Sequence, residues 1–250
     1  MRTVVVIQAR TGSTRLPRKV LEPLAGEPML ARVVARSARA SSVDAVAVAT
    51  TDLPDDDAIA ALGDDRGWTV VRGSEHDLTA RYVQAARETD ADIVVRVTSD
   101  CPLIEPDVID RVVNALQADP EADNATNVLP VHTWPRGLDV EAIRREALDR
   151  VDRLDTDPAW REHATYYIRQ HPEQFRTVQV HNPDHPAPNT RRWTVDTSED
   201  LALAQVLYDH FGHDRFSYDD VLAALAAHPG WEALNAHIEQ KPVQSAAEEG

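Results

Sequence analysis

The sequence lacks several features that mark common classes of protein. Its 250 residues include one cysteine, Cys101, so no internal disulfide can form and the cysteine usage gives no sign of export. No apolar run reaches the roughly 18 residues that a membrane-spanning helix needs, and no secretory signal precedes the first predicted strand. We therefore expect a soluble, cytoplasmic protein with no membrane partner.

Positive charge is also scarce. The formal net charge at pH 7 is −16, and lysine occurs only at Lys19 and Lys241. Because binding to nucleic acid usually requires a basic surface, this balance argues against a nucleic-acid partner. An acidic chain that uses arginine instead of lysine fits either a high-salt cytoplasm or a high-GC codon bias, and the composition does not separate these two origins.

The first 120 residues alternate between strand and helix patterns. Short apolar runs predict strands at residues 4–7, 45–49, 68–71 and 93–97. Apolar residues at helical spacing predict helices at residues 28–40, 55–66, 78–88 and 106–118. This alternation predicts an α/β fold in which helices flank a mostly parallel, mixed sheet and ligands bind beyond the carboxyl ends of the strands.

The alternation loosens after Pro120. Helices are predicted at residues 144–153 and 158–170, and a strand-like piece ends at Asp196 before a further helical region. We interpret residues 1–240 as one domain in which residues 124–195 form a subdomain that covers the site. The small, acidic residues 241–250 are expected to be a disordered tail.

A cationic loop follows the first predicted strand, with the sequence Q-A-R-T-G-S-T-R-L-P-R-K at residues 8–19. It has no second glycine before the lysine, so it is not the G-x-x-x-x-G-K-[ST] loop of P-loop ATPases and kinases. Its guanidinium forks, hydroxyls and backbone N–H groups nevertheless suit phosphate oxygens, although a solvated surface loop is the plainer alternative. The candidate residues for binding a nucleoside triphosphate are Arg10, Gly12, Ser13, Thr14, Arg15 and Lys19.

Two aspartates come at the ends of strand-like pieces. Asp100 follows the predicted strand at residues 93–97, and Asp196 precedes the last helical region. Carboxylates in such positions can hold Mg²⁺ against phosphate oxygens, but a turn or helix-capping aspartate is the alternative for each. Thr197 or Ser198 is the predicted N-cap of the last helical region.

Other reactive residue types form no recognisable site. The histidines show no H-x-x-x-H or Cys/His spacing of the kind that binds zinc. No base is evident beside Cys101, so we interpret it as a small packed residue and not as a nucleophile.

Five motifs in order resemble one family, the cytidylyltransferases of the spore coat polysaccharide biosynthesis protein F type. These proteins are related to CMP-Kdo synthetase and acylneuraminate cytidylyltransferase. The resemblance extends from residue 3 to about residue 210. The motifs are Q-A-R-T-G-S-T-R-L-P-R-K-V-L, R-V-T-S-D-C-P-L-I, P-R-G-L-D-V-E (135–141), R-E-H (161–163) and W-T-V-D-T-S-E-D-L (193–201).

The resemblance implies a nucleotidyltransferase of the glycosyltransferase-A, or nucleotide-diphospho-sugar transferase, fold. It implies CTP as donor, Mg²⁺ as cofactor, and a CMP-linked precursor of a surface polysaccharide or glycan as product, with pyrophosphate released. By motif position, Arg10, Arg15 and Lys19 would bind the triphosphate, and Asp100 and Asp196 would be the metal-binding pair. These five residues are the predicted catalytic set.

The acceptor is expected to be a sugar acid, a sugar or a related molecule that binds within residues 124–195, the segment through which relatives suggest a homodimer. Candidate acceptor contacts are Arg136, Asp139, Glu141 and His163. Each has a structural alternative, since Asp139 and Glu141 can merely flank core residues and a hydrogen-bonded histidine is common on a helix. The chain departs from the family pattern at Arg18 and Ser99, where glycine is usual.

Two other functions stay open at the level of sequence. Uridylyl-, guanylyl- or molybdopterin-type nucleotidyltransferases share the fold, but their first loop is typically G-x-G-T/S-R-M, which this chain lacks. A non-catalytic nucleotide-binding protein of a polysaccharide locus is the second alternative. The presence of all five predicted catalytic charges argues against it.

Overall fold

The computed structural model describes residues 1–128 and 130–239. Its strands are β1 (Thr3–Gln8), β2 (Pro23–Leu24), β3 (Glu27–Pro28), β4 (Ala45–Thr51), β5 (Thr69–Gly73), β6 (Ile93–Thr98), β7 (Asn124–Thr126), β8 (Glu141–Arg144) and β9 (Thr177–Gln179). Its helices are α1 (Met29–Ser37), α2 (Asp57–Arg66), α3 (Leu78–Glu88), α4 (Pro106–Ala118), α5 (Arg145–Leu154), α6 (Pro158–Arg161), α7 (Tyr166–Gln170), α8 (Ser198–Phe211), α9 (Tyr218–Ala227) and α10 (Pro229–Glu232). Within this part of the chain, no helix is long and apolar enough to cross a membrane.

The main sheet has seven strands in the order β5-β4-β1-β6-β8-β7-β9. The strands β5, β4, β1 and β6 run parallel, β8 runs antiparallel to both β6 and β7, and β9 is parallel to β7. This arrangement confirms the predicted mostly parallel, mixed sheet flanked by helices. Since β1 is central among the parallel strands, the loop that follows it emerges in the middle of their carboxyl edge.

Both faces of the sheet are covered, as the continuous apolar runs of the strands predict. Along β1, Val5 and Ile7 face one apolar core, whereas Val4 and Val6 face the other. All four side chains are fully buried. Each contributes about 1.5–3 kcal/mol through removal of apolar surface from water, which fixes β1 and hence the start of its loop.

Several predicted boundaries are confirmed. Helices α3 and α4 have the predicted bounds, residues 78–88 and 106–118. Asp77 caps α3 by accepting a hydrogen bond from the Ala80 N–H at 2.8 Å. Thr197 is the N-cap of α8, where it forms a capping box with Asp200.

Two predictions about the second half of the chain were wrong. Residues 158–170 form two short helices joined by a turn at residues 162–165, in which Ala164 and Thr165 are buried. The segment before Asp196 is not a strand but an extended piece held by backbone hydrogen bonds, including Val195 N–H to Asp100 O at 2.8 Å. The predicted tail at residues 241–250 lies outside the described residues.

Candidate active site

A cleft of about 350 Å³ lies at the carboxyl ends of β1 and β6. Its walls come from the loop after β1, the start of α3, the end of β6 and the turn between α6 and α7. The cleft brings together every residue that the sequence predicted to bind triphosphate or metal. These lining residues are Arg10, Gly12, Ser13, Thr14, Arg15, Lys19, Asp100 and Asp196.

Lys19 joins the two aspartates. Its Nζ donates to Asp100 Oδ2 at 3.0 Å, to Asp196 Oδ1 at 2.8 Å and to the carbonyl of Val195 at 2.8 Å. A lysine ammonium has three N–H donors, so all of them are used. Burial lowers the pKa of Lys19, but the two carboxylates outweigh this and the net pKa is raised, which keeps the ammonium charged.

Asp196 is held by three cations. Besides Lys19, its carboxylate contacts Arg15 Nη2 at 3.1 Å and Arg192 Nη2 at 2.6 Å. Burial raises the pKa of Asp196, but these cations reverse the effect and the net pKa is lowered. The carboxylate is therefore ionised at neutral pH.

Sequence reasoning missed the residues that orient Asp196. Asp200 is 2% exposed and accepts hydrogen bonds from the backbone N–H groups of Asp196 and Thr197, at 2.9 and 3.0 Å. Arg192 bridges both aspartates through its ion pairs at positions four and eight residues away. Arg192, Asp196 and Asp200 recur at intervals of four residues, and this was the signal available in the sequence. Because a strand-like piece was predicted up to Asp196, that spacing did not indicate that the three side chains would meet.

Asp100 is the more accessible of the two aspartates, with its side chain 23% exposed against 12% for Asp196. The Thr98 hydroxyl donates to Asp100 Oδ1 at 2.6 Å, which orients the carboxylate. The neighbouring Cys101 is buried, and burial raises the pKa of its thiol. The thiol is thus protonated, in agreement with its interpretation as a packed residue.

The loop itself is anchored from β4. Asp56, just beyond that strand, accepts hydrogen bonds from the Thr11 N–H at 2.6 Å and the Thr11 hydroxyl at 2.8 Å. Burial raises the pKa of Asp56, but its hydrogen bonds from Thr51 and Thr11 produce a net lowering. This anchor was also missed, because nothing in the sequence connects position 56 to position 11.

Arg18 has a φ of 58°, in the left-handed region that favours glycine. This backbone geometry explains why glycine is usual at the equivalent position of the family that the motifs resemble. The departure at Arg18 therefore costs backbone strain, of about 1–2 kcal/mol, without closing the cleft. At the outer end of the loop, Arg10 is half-exposed and pairs with Glu75 Oε1 at 3.4 Å.

Of the four acceptor candidates, His163 alone lines the cleft. It is exposed to solvent, and partial desolvation followed by the charge of Arg96 lowers its pKa. The imidazole is therefore neutral at pH 7 and can accept or donate a hydrogen bond.

The remaining candidates, Arg136, Asp139 and Glu141, lie outside the lining of the cleft. Glu141 is 1% exposed, and its Oε1 accepts from Arg96 and Arg169, each at 2.8 Å. This cluster joins β8 to β6 and α7. It gives Glu141 a structural role, the alternative to a contact with the acceptor. Leu138 and Val140 are fully buried core residues, as that alternative requires.

Within residues 1–128 and 130–239, no group of three or more histidine, cysteine, aspartate or glutamate side chains could hold a metal ion. The cleft offers the pair Asp100 and Asp196. Mg²⁺ in nucleotide-dependent enzymes commonly takes one or two carboxylates and completes its shell with phosphate oxygens and water. The pair therefore suits a metal that arrives with a nucleotide better than a resident metal.

Comparison with known proteins gives a consistent picture. A family model described as cytidylyltransferase matches residues 4–211. The spore coat polysaccharide biosynthesis protein SpsF of Bacillus subtilis is 31% identical over 212 residues, which are 83% of this chain and 86% of that protein.

Two solved structures are also similar. A cytidylyltransferase from Leptospira borgpetersenii has a TM-score of 0.87 and 30% identity, over 97% of this chain and 100% of that one. A CMP:2-keto-3-deoxy-manno-octonic acid synthetase complexed with CTP has a TM-score of 0.62 and 23% identity, over 84% of this chain and 100% of that one. This second likeness shows a shared fold.

Proposed function

The chain belongs to the cytidylyltransferase family, and we propose that its cleft transfers CMP from CTP to a sugar acid, a sugar or a related acceptor. Pyrophosphate is the second product. The observation that carries this assignment is the meeting of Lys19, Asp100 and Asp196, which come from three distant segments, at the carboxyl edge of the sheet. The name of the relative SpsF supports a role in making precursors of a surface polysaccharide.

The cationic loop is the proposed site of the triphosphate. Arg10, Arg15 and Lys19 supply positive charge, and Gly12, Ser13 and Thr14 line the same cleft with backbone and hydroxyl donors. Because all three Lys19 N–H groups already have acceptors, we expect a phosphate oxygen to replace one of these acceptors when CTP binds. CTP bound to the synthetase of similar fold supports the choice of nucleotide.

Asp100 and Asp196 are the proposed ligands of Mg²⁺. Their chemistry fits this ion, because both are carboxylates that face one cleft and Asp196 is held in its ionised form. When bound, Mg²⁺ supplies polarisation of the α-phosphate and orientation of the acceptor.

The chemical step is attack by an acceptor oxygen on the α-phosphorus of CTP, with cleavage of the bond to the β-phosphate. Negative charge then grows on the departing pyrophosphate. Arg15 and Lys19 are preorganised near Asp196 to stabilise that charge, since they are already held in place by ion pairs. Catalysis by this route depends on positioning and electrostatics and needs no covalent intermediate.

The residues that bind the acceptor stay a prediction. His163 is the best-placed candidate because it lines the cleft, whereas Arg136, Asp139 and Glu141 would have to act from behind the lining. Strands β7, β8 and β9 extend the same sheet, which supports treating residues 1–240 as one domain, and the acceptor-binding and dimerisation roles of residues 124–195 stay predictions. We also keep the inference of a cytoplasmic enzyme that acts as a homodimer.

A pyrophosphate-release screen tests this function. The purified protein is incubated with CTP, Mg²⁺ and a panel of sugar acids, sugars, sugar phosphates and phosphonates. We expect at least one acceptor to raise pyrophosphate release well above the rate with CTP alone, and to form a product heavier by one CMP. Equal release with CTP, UTP and GTP would instead favour a broader nucleotidyltransferase, and CTP binding without turnover on any acceptor would favour the non-catalytic alternative.

A further inference from the structure

Two arginines beside the cleft share a single carboxylate. Glu141 Oε1 accepts from Arg96 Nη1 and from Arg169 Nη2, both at 2.8 Å, and from the Thr165 hydroxyl at 3.1 Å. The Nε–H groups of both arginines are buried and have no acceptor within residues 1–128 and 130–239. A guanidinium has five N–H donors, so the bonds to Glu141 use only a small part of what this Arg96–Glu141–Arg169 cluster can donate.

The cluster also keeps an excess of positive charge. Burial raises the pKa of Glu141, but the charges of Arg169 and Arg96 produce a net lowering, so the carboxylate is ionised at neutral pH. Two guanidiniums and one carboxylate therefore sum to a charge of +1. A desolvated charge is costly unless it is paired, so a further anion would stabilise the cluster.

The other carboxylates near Arg96 do not fill this need. The charges of Asp139 and Asp100 also act on Arg96, but neither side chain forms an ion pair with it in the part of the chain that the structure describes. Asp100 Oδ2 lies 3.0 Å from Lys19 Nζ, and Asp139 Oδ1 lies 3.3 Å from His132 Nδ1. The unused N–H groups are thus left for a ligand.

The cluster is placed where it can act on the contents of the cleft. Arg96 and Thr98 are two residues apart on β6, so their side chains lie on the same face of the strand, and Thr98 lines the cleft. The charges of Arg96 and Arg169 both act on His163, another lining residue. The two arginine side chains are 18% and 26% exposed, so the cluster is open to a ligand.

This position is separate from the triphosphate loop. In the sheet, β8 lies on the opposite side of β6 from β1, and the cluster joins β6 to β8 and α7, whereas the loop follows β1. A cation needed for the triphosphate is expected on the loop side. The cluster therefore suits the second substrate.

Charge decides which kind of group the cluster suits. One carboxylate would cancel the charge of +1 and would offer two oxygens to the forked N–H groups of the guanidiniums. A phosphate dianion would leave the desolvated cluster with a net negative charge, and a neutral hydroxyl would leave its positive charge unpaired.

Building on the proposed function, we propose that Arg96 and Arg169 form an anion subsite that binds the carboxylate of the acceptor. The acceptor is then a sugar acid, and neutral sugars and sugar phosphates are poor substrates. Anchoring the carboxylate at this subsite orients the acceptor, so that its hydroxyl is presented to the α-phosphate in the adjoining cleft.

The test measures pyrophosphate release with CTP and Mg²⁺ for matched acceptors: sugar acids, their carboxamides, the corresponding neutral sugars and the sugar phosphates. It compares the wild type with Arg169→Met and Arg169→Lys. Arg169 is a better target than Arg96 because it is the more exposed of the two, and Glu141 then keeps Arg96 and Thr165 as partners. The control is Arg153→Met, an exposed residue in the last turn of α5 that does not line the cleft.

We expect the wild type to use a sugar acid and to use its carboxamide poorly. Arg169→Met should raise the KM for the acid about ten- to a hundredfold, as for loss of a hydrogen bond between charged groups, and should leave the KM for CTP unchanged. Arg169→Lys keeps the charge without the fork, so its KM for the acid should rise less. Arg153→Met should behave as the wild type.

The remaining outcomes separate this inference from the proposed function. A neutral sugar or a sugar phosphate that is used as well as any sugar acid would overturn the inference and leave the proposed function in place. Equal rises in the KM for CTP and for the acid in Arg169→Met would place that arginine on the nucleotide and would also overturn it. No release with any acceptor would remove the proposed function, and this inference with it.

A purely structural role of Arg169 predicts another pattern. It would lower the thermal midpoint of Arg169→Met while the KM for the acid stays at the wild-type value, and that result would contradict the anion subsite. If the Met variant does not fold, Arg169→Lys decides, because an unchanged KM for the acid in that variant, together with equal use of acid and carboxamide by the wild type, would overturn the inference.

Discussion

Lys19 and Arg36 are both buried cations, but the regions in which they lie differ in the acceptors that they provide. Arg36, in α1, is 0% exposed and contacts the segments that precede α4 and α9. It donates to the carbonyls of Ile104, Asp214 and Phe216 at 2.6, 2.6 and 3.1 Å, and it pairs with Glu105 at 3.1 Å. Lys19 faces a cleft and holds two carboxylates and one carbonyl.

This difference separates a structural cation from one that is available for chemistry. Burial lowers the pKa of Arg36, and its single carboxylate partner does not compensate, whereas the two carboxylates beside Lys19 reverse the same effect. The carbonyls that accept from Arg36 belong to separate segments of the chain, so its guanidinium joins those segments. Asp196 is also paired with Arg15 and Arg192, whereas the more accessible Asp100 pairs with Lys19, and the open cleft allows a further cation and a phosphate to reach both carboxylates.

The largest effect is expected at the carboxylates. Asp100→Asn and Asp196→Asn each remove one charge of the proposed metal pair, so each should abolish Mg²⁺-dependent pyrophosphate release, with a loss of more than about 10³-fold. Steady-state rates of pyrophosphate release, measured over a range of Mg²⁺ concentrations, give the size of this loss directly. Rates unchanged in both variants would remove the pair from the mechanism.

Arg36→Met should have a large effect on stability and little effect on turnover. It leaves Glu105 without its cation and removes three bonds to backbone carbonyls, so we expect the free energy of unfolding to fall by about 3–5 kcal/mol. Urea denaturation measures this loss. The CTP turnover of the fraction that remains folded should stay near that of the wild type, and a selective loss of turnover would break the distinction between the two regions.

Lys19→Ala should lower CTP turnover about 10²- to 10³-fold, as loss of one charge-stabilising donor typically does. The fold should survive, because Asp196 retains Arg15 and Arg192 as partners. Turnover and the far-ultraviolet circular dichroism spectrum are measured on the same preparation. Normal turnover in the folded variant would show that Lys19 plays only the structural part that Arg36 plays.

The smallest effect concerns Glu105, the partner of Arg36. Burial, only partly offset by Arg36, raises its pKa from 4.5 to about 7. Between these values the folded protein binds more protons than the unfolded chain, so the contribution of Glu105 to stability is present below pH 4.5 and is lost as the pH rises through about 7. Glu105→Gln keeps an acceptor for Arg36 and should flatten this part of the stability profile in urea titrations from about pH 5 to pH 8, while an unchanged profile would contradict it.

Local pattern was sufficient to predict the first half of the fold. The bounds of α3 and α4 and the parallel strands followed from helical spacing and short apolar runs, because these signals act over a few residues. The loop residues and both aspartates, which line one cleft, were also singled out in the sequence because each lies next to a recognisable strand or motif, and their roles stay predictions. The break within residues 158–170 was not, because no local pattern marks the turn in which Ala164 and Thr165 are buried.

Residues that act through tertiary contacts were beyond the reach of the sequence. Asp56 orients Thr11 from a position 45 residues away along the chain. That contact is not a property of neighbouring residues, whereas the four-residue spacing of Asp196 and Asp200 was a local signal. At Glu141 the sequence motif suggested a contact with the acceptor. In the structure this carboxylate instead accepts hydrogen bonds from Arg96 and Arg169.

The most direct test of the central claim is a thermal-shift panel with Mg²⁺ and each of CTP, UTP, GTP and ATP, run on the wild type and on Lys19→Ala. Ligand that binds only the folded state at about 100 times its Kd stabilises it by about 2.7 kcal/mol. The account predicts the largest rise of the wild-type midpoint with CTP, and a much smaller rise with CTP in Lys19→Ala. Equal shifts with all four nucleotides, or the same CTP shift in both proteins, would contradict it.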